Sequence, residues 1–429
     1  MIARLPESSA PSLIDRGIHR PLHVVHLIEA LGPGGAERLL YTNLKHLDKT
    51  RIRSTVMTVF PHATHWVEPI RELDISVTSL NCKGPGELLS GIKSLRRWLR
   101  VNRPDVIHSH LWAANIIGRV AGRLSHVPVI SSIHNPDHEI EAWEDGSNVG
   151  MNKRRAIKSL DRWTARFGCE RMIAVSDYVK QSAHRHLGYP LERIELLYNP
   201  IDVESLGTSA TNSREHFLRE WGLPEDALVL LNVARVSPQK GLLHAVRAMP
   251  AILERHPEAH LVSVGATTDP EWLARLQAEA KELGVDSHFH VLGARRDVPS
   301  FLRNCDVFVF PSLYEGLGIA LIEAMAAGCA CVATTAGPIP EIVQHGRDAL
   351  LVSPESSTEL ANAVCSLLEN PERSASLGAA AKRTALERFQ PQAAADQLAS
   401  IYRAVVDESQ SASRNQPRQT TTRMSGLGF

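Results

Sequence analysis

Cys305-Asp-Val-Phe-Val-Phe-Pro-Ser-Leu-Tyr-Glu-Gly-Leu-Gly-Ile-Ala-Leu-Ile-Glu323 is the stretch of this chain that decides its fold. The Val and Phe run between Asp306 and Pro311 predicts a strand buried on both faces, because such runs are typical of parallel sheets. The apolar segment from Gly318 onward predicts the start of a helix. A strand that leads through a short polar loop into a helix is a unit of an α/β sheet.

Two glutamates, Glu315 and Glu323, flank this helix start. At about 1.5 Å of rise per residue they would stand roughly 12 Å apart, which exceeds the ~5 to 9.5 Å between the paired carboxylates of glycoside hydrolases. We therefore expect the two carboxylates to bind different parts of one long ligand. The free N–H groups of Leu317 and Gly318, at the positive end of the helix dipole, suit a phosphate or a sugar oxygen. The alternative is that both glutamates are solvated charges at helix ends.

Length and composition indicate an ordinary globular protein of two or three domains. The chain has 429 residues, of which 43% are hydrophobic and 22% charged, and this length is too great for one hydrophobic core. No apolar run reaches the ~18 residues of a membrane span, and the beginning of the chain lacks the apolar core of a signal peptide. The six cysteines form no CxxC pair and no framework spacing, which predicts reduced thiols. We therefore expect a cytoplasmic protein.

Two predicted helices carry basic residues around a tryptophan. Residues 93–103 hold five Lys and Arg with no acid, and residues 153–166 are similarly basic. Such helices suit an anionic membrane surface, with Arg96, Arg97 and Arg100 as candidate contacts at the inner face of the cell membrane. Ordinary solvated helix faces are the alternative. The sequence pI of about 7.4 argues against a nucleic-acid partner.

Strand and helix patterns alternate along both halves of the chain, as in doubly wound α/β domains. The predicted strands are 23–28, 54–60, 106–110, 129–134, 172–175 and 194–198 in the first half, and 228–233, 260–264, 289–291, 307–310 and 331–334 in the second. The predicted segments are a disordered leader at 1–20, a first domain at 21–205, a linker within 202–212, a second domain at 206–384, a helix at about 385–404 that returns to the first domain, and a disordered tail at 405–429. Polar and glycine loops follow the strands of both halves, which predicts a ligand cleft between two facing domains.

Each half carries a loop suited to an anion. In the second half, Arg235 and Lys240 follow the first strand and precede a helix, and together they offer a planar fork and a compact point charge to a diphosphate. In the first half, the glycine-rich segment 32–38 lies between strand and helix, without the acidic residue about 20 positions on that a nicotinamide site would have. We expect its backbone to approach a phosphate closely. A tight turn and plain surface charges are the alternatives.

Histidines mark the ends of two strands in the first half. His108 and His110 lie on one side of a strand by its period of two, and His134 ends the next strand. No EH or HxxE partner accompanies them, so we expect no metal. His134 is the candidate to face the cleft and bind a sugar hydroxyl, whereas a structural role is the alternative for His108.

The order and spacing of these segments resemble those of the retaining glycosyltransferases of family 4, the GGAER-type enzymes of bacterial glycan biosynthesis. The resemblance extends over about residues 24–403 and implies the GT-B fold, in which two Rossmann-like domains face each other across a cleft. It rests on GGAER at 34–38, RPDVIHSH at 103–110, SSIHN at 131–135, AVSDYVK at 174–180, NPID at 199–202, ARVSPQKG at 234–241 and the two glutamates separated by seven residues at 315–323.

The resemblance implies a role for each polar residue named above. Glu323 would bind the ribose hydroxyls of a nucleotide sugar, and Glu315 would contact the transferred sugar. Arg235 and Lys240 would neutralise the diphosphate leaving group, and His134 would lie beside the sugar. Domain closure would then exclude water from the activated donor.

The resemblance also implies that backbone segments of both domains contact the nucleotide. Gly34 and Gly35 would approach the diphosphate from the first domain. Leu292 and Gly293 lie where the family packs the base. Gly265 would also contact the nucleotide, but its segment departs from the family pattern, because Ala-Thr-Thr follows it where relatives often have a second glycine.

The function implied is transfer of a hexose from a nucleotide-diphosphate sugar to a glycan or lipid-linked acceptor, with retention of anomeric configuration, in cell-surface polysaccharide biosynthesis. No cofactor and no metal are expected, since the nucleotide sugar is a substrate and side chains supply the positive charge. A nucleotide-sugar-binding regulator, or an epimerase-like enzyme without transfer activity, is the alternative from another class.

Overall fold

The computed structural model describes residues 20–136, 138–139, 150–202 and 213–414. The predicted leader, the linker after Asp202 and the tail after Arg414 lie outside these residues. The strands are β1 Leu22–Ile28, β2 Ile52–Thr58, β3 Ser76–Ser79, β4 Val106–His110, β5 Val129–Ile133, β6 Arg171–Ala174, β7 Ile194–Leu196, β8 Leu228–Val233, β9 Ala259–Val264, β10 Phe289–Val291, β11 Val307–Phe310, β12 Cys331–Thr334 and β13 Leu350–Val352. The helices are α1 Gly35–His46, α2 Val67–Arg71, α3 Leu88–Asn102, α4 Trp112–Ser125, α5 Met151–Gly168, α6 Asp177–Leu187, α7 Arg214–Glu220, α8 Leu242–Leu253, α9 Pro270–Glu282, α10 Val298–Asn304, α11 Ile319–Ala327, α12 Ile339–Ile342, α13 Ser357–Leu368, α14 Pro371–Arg388 and α15 Pro391–Arg414.

Both sheets are parallel and doubly wound, which confirms the predicted fold class. The first sheet has the order β3-β2-β1-β4-β5-β6-β7 and the second has the order β10-β9-β8-β11-β12-β13. In each sheet the strand order reverses beside the first strand, at β1 and β4 or at β8 and β11. A crevice opens outside the carboxyl ends of the strands at such a switch point, and ligands of α/β sheets bind there.

The edge strands β3 and β13 have no counterpart among the predicted strands. The residues of β3, Ser-Val-Thr-Ser, are too polar to stand out as a buried run. The central strands, in contrast, are buried along nearly their whole length, which is why an apolar run marks them in the sequence.

Helix α15 returns to the first domain and covers its sheet. Leu398, Tyr402 and Val405 are buried in the same core as Leu40 and Leu44 of α1. The apolar residues recur at helical spacing beyond position 403, and the helix continues to Arg414. The prediction that order ends near residue 404 is therefore wrong. The polar composition of the tail obscured these last apolar positions.

One hydrophobic core joins the two domains. Met172, Ala174 and Val179 from the first domain pack in the same cluster as Leu317 and Ile339 from the second. This shared core fixes the facing orientation of the two sheets, so that loops from both switch points meet in the space between them.

Candidate active site

A cavity of about 470 Å³ lies between the two domains, at the carboxyl ends of both sheets. Most of the residues that the sequence predicts for the site line it. These are Gly34, Gly35, His134, Arg235, Lys240, Glu315, Leu317 and Gly318. The two predicted loops, which belong to different domains, thus border one space.

The cationic side of the cavity is built by the loop after β8. Lys240 ends a 3₁₀ turn that begins at Pro238, and Gly241 follows in the left-handed region with a φ of 64°. A Cβ atom on Gly241 would lie 1.9 Å from the carbonyl oxygen of Pro311, so only glycine fits there. The close approach sets Lys240 Nζ 2.7 Å from Glu315 Oε1.

Glu315 has two hydrogen-bond donors on one oxygen atom. Besides Lys240, the hydroxyl of Ser312 donates to Glu315 Oε1 over 2.8 Å. Only 6% of Glu315 is exposed. The alternative that this glutamate is a solvated charge is therefore wrong. Its carboxylate is fixed at the cavity wall, and no pattern in the sequence indicates that Ser312 would help to hold it.

Glu323 is buried on α11 and pairs with Arg38 of the first domain. Burial raises the pKa of this carboxyl group, and the adjacent guanidinium of Arg38 opposes the shift. The solvated alternative is wrong for this residue too. Glu323 does not line the cavity in this structure, because the ion pair to Arg38 occupies its side chain. The GGAER segment contains Arg38, but no spacing in the sequence signals the pairing.

The glycine loop of the first domain lies against the start of α11. A Cβ on Gly35 would lie 3.3 Å from Ile319 Cδ1, and a Cβ on Gly34 would lie 2.3 Å from Glu37 Oε2. Glu37 also lines the cavity. Burial raises the pKa of its carboxyl group, the nearby Glu29 raises it further, and Arg235 opposes this. The loop therefore brings backbone to the wall of the cavity that Arg235 also lines, and Glu37 is a wall residue that sequence reasoning missed.

Gly265, Leu292 and Gly293 do not line the cavity. A Cβ on Gly265 would lie 1.8 Å from the carbonyl oxygen of Ala234, and the Gly265 N–H donates to the Gly293 oxygen over 2.8 Å. These contacts tie the loops after β9 and β10 to the loop that carries Arg235. In this structure the three residues support the cationic loop from behind, and their contact with a base stays a prediction.

Four histidines lie near one another at the first sheet: His26, His108, His110 and His134. Both ring nitrogens of His108 have hydrogen-bond partners. Its Nδ1 lies 2.7 Å from the hydroxyl of Tyr402, and its Nε2 lies 2.8 Å from Ser132 Oγ. His26, His108 and His110 have ring nitrogens within 4.8 Å of one another. A metal ion held by all three would have to displace one of the hydrogen bonds of His108.

His134 connects this cluster to the cavity. Its Nε2 lies 3.3 Å from His110 Nδ1, and its Nδ1 has no hydrogen-bond partner among the described residues. Burial lowers the pKa of His134 to about 4 and that of His26 to about 3, and it holds the pKa values of His108 and His110 well below their usual range. At neutral pH the imidazole of His134 is therefore uncharged. It can exchange hydrogen bonds with a sugar hydroxyl.

The buried histidines predict a loss of stability in mild acid. Between pH 6.5 and about 4 the unfolded chain binds protons that folded His26, His108 and His110 do not, so the free energy of unfolding falls as pH falls through this range. Each such histidine contributes a slope of about 1.4 kcal/mol per pH unit. Urea unfolding at a series of pH values gives the free energy of unfolding as a function of pH. For the variant His26→Gln, this free energy should change less steeply with pH, by about that amount. The exposed His216→Gln is the control, and an unchanged slope for His26→Gln would contradict the pKa assignment.

A second cavity of about 310 Å³ adjoins the first within the N-terminal domain. Leu111, His134 and Asn135 line both cavities. On the far wall, Asp161 pairs with the buried Arg119 and accepts a hydrogen bond from His138 over 2.8 Å. Burial alone would raise the pKa of Asp161, but these two partners lower it below its usual value.

Direct contacts between the domains border the cavities. The hydroxyl of Ser176 donates to the Gly316 oxygen over 2.7 Å, and a Cβ on Gly316 would lie 1.8 Å from the carbonyl oxygen of His134. The carboxylate of Glu341 accepts hydrogen bonds from the N–H groups of Asp177 and Tyr178 at the start of α6. The two domains thus meet through backbone atoms, which leaves little tolerance for added side-chain volume.

Two doubly wound parallel sheets, with switch-point loops that face each other across one cavity, define the GT-B class of glycosyltransferases. Solved structures agree with this fold. The crystal structure of Anabaena Alr3699/HepE in complex with UDP-glucose matches with a TM-score of 0.77 at 22% identity, over 89% of this chain and 100% of that one. The structure of WaaG, a glycosyltransferase involved in lipopolysaccharide biosynthesis, matches with a TM-score of 0.69 at 17% identity, over 89% and 99%.

Sequence comparisons specify the family. The model of glycosyltransferase family 4 matches residues 33–205, and the model of glycosyl transferases group 1 matches residues 213–384. The chain is 30% identical to alpha-maltose-1-phosphate synthase of Mycolicibacterium smegmatis, over 70% of this chain and 79% of that protein. It is 27% identical to a UDP-Gal:alpha-D-GlcNAc-diphosphoundecaprenol alpha-1,3-galactosyltransferase of Escherichia coli, over 64% and 69%. The chain belongs to glycosyltransferase family 4.

In the part of the chain that the structure describes, no helix is both long enough and apolar enough to cross a membrane.

Proposed function

We propose that this glycosyltransferase moves a hexose from a nucleoside-diphosphate sugar to an acceptor hydroxyl, with retention of anomeric configuration and without a metal ion. One observation carries the proposal. Arg235 and Lys240 border the same cavity as the glycine loop of the first domain and the start of α11. A diphosphate in this space would meet two cations and free backbone N–H groups at once.

The chemistry of the leaving group explains the arrangement. When the bond between the sugar and the diphosphate breaks, negative charge builds up on the phosphate oxygen. Fixed positive groups stabilise that charge more in the transition state than in the ground state. We propose that Arg235 and Lys240 do so, while Glu315 holds the sugar and neutral His134 orients one of its hydroxyls. The departing phosphate oxygen would take the proton of the acceptor hydroxyl. This hydroxyl would attack from the face of the sugar that the diphosphate leaves, which gives retention.

Donor contacts beyond the diphosphate follow from the position of α11. We propose that Glu323 exchanges its ion pair with Arg38 for the two ribose hydroxyls when the donor binds. Leu292 and Gly293, at the end of β10, would then lie under the base. The solved relative that holds UDP-glucose supports uridine nucleotides as the first donors to test.

The second cavity is the proposed acceptor site. It adjoins the donor cavity at His134 and Asn135, so an acceptor hydroxyl placed there would lie next to the transferred sugar. We propose a glycan or lipid-linked acceptor in cell-surface polysaccharide biosynthesis. The E. coli relative, whose name specifies a diphosphoundecaprenol-linked sugar, supports this class. All six cysteines are free thiols, which supports a reducing, cytoplasmic setting.

Donor identity is best tested by thermal melts of the protein with a panel of nucleotide sugars. A donor that binds only the folded chain raises the free energy of unfolding by about 2.7 kcal/mol when its concentration is a hundred times its dissociation constant, and the melting temperature rises with it. We expect one nucleotide sugar to stabilise the protein more than the others. The variant Glu323→Gln should reduce this shift and leave the ligand-free melting temperature within a few degrees.

Product analysis then separates transfer from the alternatives. With the stabilising donor and an acceptor mixture, we expect a glycosylated product whose anomeric proton has the configuration of the donor, both with and without EDTA. Release of nucleoside diphosphate with no acceptor product, or isomerisation of the sugar, would instead support an epimerase-like or regulatory protein. An inverted product would contradict the proposed retention.

A further inference from the structure

The outer side of the first domain exposes three large apolar side chains next to one another. Leu124 at the end of α4 is 51% exposed, and Trp163 and Phe167 on α5 are 58% and 56% exposed. The two aromatic rings have centroids 5.7 Å apart. Together with Arg119 and Arg123 these side chains line a groove of about 220 Å³.

Basic residues surround this apolar cluster. Leu124 also lines an adjoining groove of about 540 Å³ that contains Arg100 and Arg103, so the two grooves form one continuous surface. We call Leu124, Trp163 and Phe167, with Arg100, Arg103 and Arg123, the Trp163 face. No carboxylate lines either groove, and none of these three arginines forms a salt bridge with another described residue.

We propose that the Trp163 face docks the enzyme on an anionic membrane. Exposed Trp, Phe and Leu side chains are stabilised at the boundary between lipid headgroups and acyl chains, and arginines beside them are stabilised by headgroup phosphates. The positive charge here is unbalanced, which suits a diffuse anionic surface better than a protein partner with charges of both signs.

The position of α5 connects this face to the proposed acceptor site. Ile157 and Asp161 on α5 line the second cavity, while Trp163 and Phe167 on the same helix form the outer face. Arg119 lines the outer groove and pairs with Asp161. Only the thickness of one helix, about 10 Å, therefore separates the membrane contact from the cavity. This link to a lipid-linked acceptor rests on the proposed function, whereas membrane docking itself does not.

Vesicle binding tests the proposal directly. The full-length protein, without nucleotide sugar, is sedimented with vesicles of phosphatidylcholine alone or of phosphatidylcholine mixed with phosphatidylglycerol. We expect binding to the mixed vesicles that weakens as salt is raised, because salt screens the arginines. The double variant Trp163→Ser/Phe167→Ser should lower the affinity by about tenfold or more, and Arg100→Gln/Arg123→Gln should lower it by roughly tenfold at low salt.

Matched variants on the second domain serve as controls. Leu283→Ser removes an exposed apolar side chain, and Arg373→Gln/Arg383→Gln removes two exposed charges of α14. Both should bind vesicles like the wild type. Failure of the wild type to bind anionic vesicles would overturn the proposal, as would equal binding by the Trp163→Ser/Phe167→Ser variant. Self-association of the wild type that this variant abolishes, without vesicle binding, would assign the face to a second copy instead.

The same variants keep the two proposals separable. Trp163 and Phe167 lie outside both cavities, so their replacement should leave the donor-induced thermal shift unchanged. Vesicle binding that depends on this face, in a protein that no nucleotide sugar stabilises, would support membrane docking and contradict the proposed function.

Discussion

The variant Lys240→Ala is expected to lower turnover by about 10² to 10³-fold, because it removes a fixed positive group from the site where leaving-group charge would develop. In the folded protein Lys240 Nζ lies 2.7 Å from Glu315 Oε1. Alanine would leave that carboxylate without its cation beside the proposed diphosphate. The loss should therefore affect kcat more than KM, since the charge on the phosphate oxygen is greatest in the transition state.

Three further variants make this result specific. Lys240→Arg keeps the charge with a different shape and should recover part of the turnover. Arg235→Ala should lower turnover similarly, whereas Lys281→Ala, at an exposed position of α9, should not. Turnover of Lys240→Ala within a few-fold of the wild type, in a protein with a normal melting temperature, would contradict the role of Lys240 in stabilising the leaving group.

The sequence predicts the central strands and the cationic loop because local rules govern both. Residues 307–310 are apolar along their whole length since helices cover both faces of a parallel sheet. Position 241 is a glycine because its left-handed φ and its contact with Pro311 leave no room for a side chain. Such requirements act within a few residues or through one tight contact, so they leave a readable pattern.

Partners distant in the chain leave no such pattern. The ion pair of Arg38 with Glu323 joins two domains, and the hydrogen bond of His108 to Tyr402 joins residues 294 positions apart. Within its own segment, each of these side chains reads as an ordinary surface or core residue. Their pairing depends on how α1 and α15 pack on the sheet and on how closely the domains approach, which are properties of the tertiary structure. The role of Arg38 was therefore not predictable from spacing.

The variant Gly316→Ala is expected to lower turnover by about 100-fold and to lower the melting temperature. A Cβ at this position would lie 1.8 Å from the carbonyl oxygen of His134 in the facing domain, so the two domains would have to separate. The φ of Gly316 is not left-handed, so alanine strains no backbone within the second domain. Separation of the domains by about 1 Å at the reacting groups is enough for a loss of this size.

Turnover, melting temperature and small-angle X-ray scattering together test this prediction. We expect Gly316→Ala to melt below the wild type while staying folded at the assay temperature, and to show a larger radius of gyration when donor is bound. Gly86→Ala is the matched control, because no atom lies within 4 Å of a Cβ there. Wild-type turnover in Gly316→Ala would show that catalysis tolerates a wider gap between the domains. The two domains of this structure would then lie closer together than the reaction requires. An unchanged melting temperature together with an unchanged radius of gyration would contradict the predicted separation of the domains, since the interdomain core of Leu317 and Ile339 lies directly beside this contact.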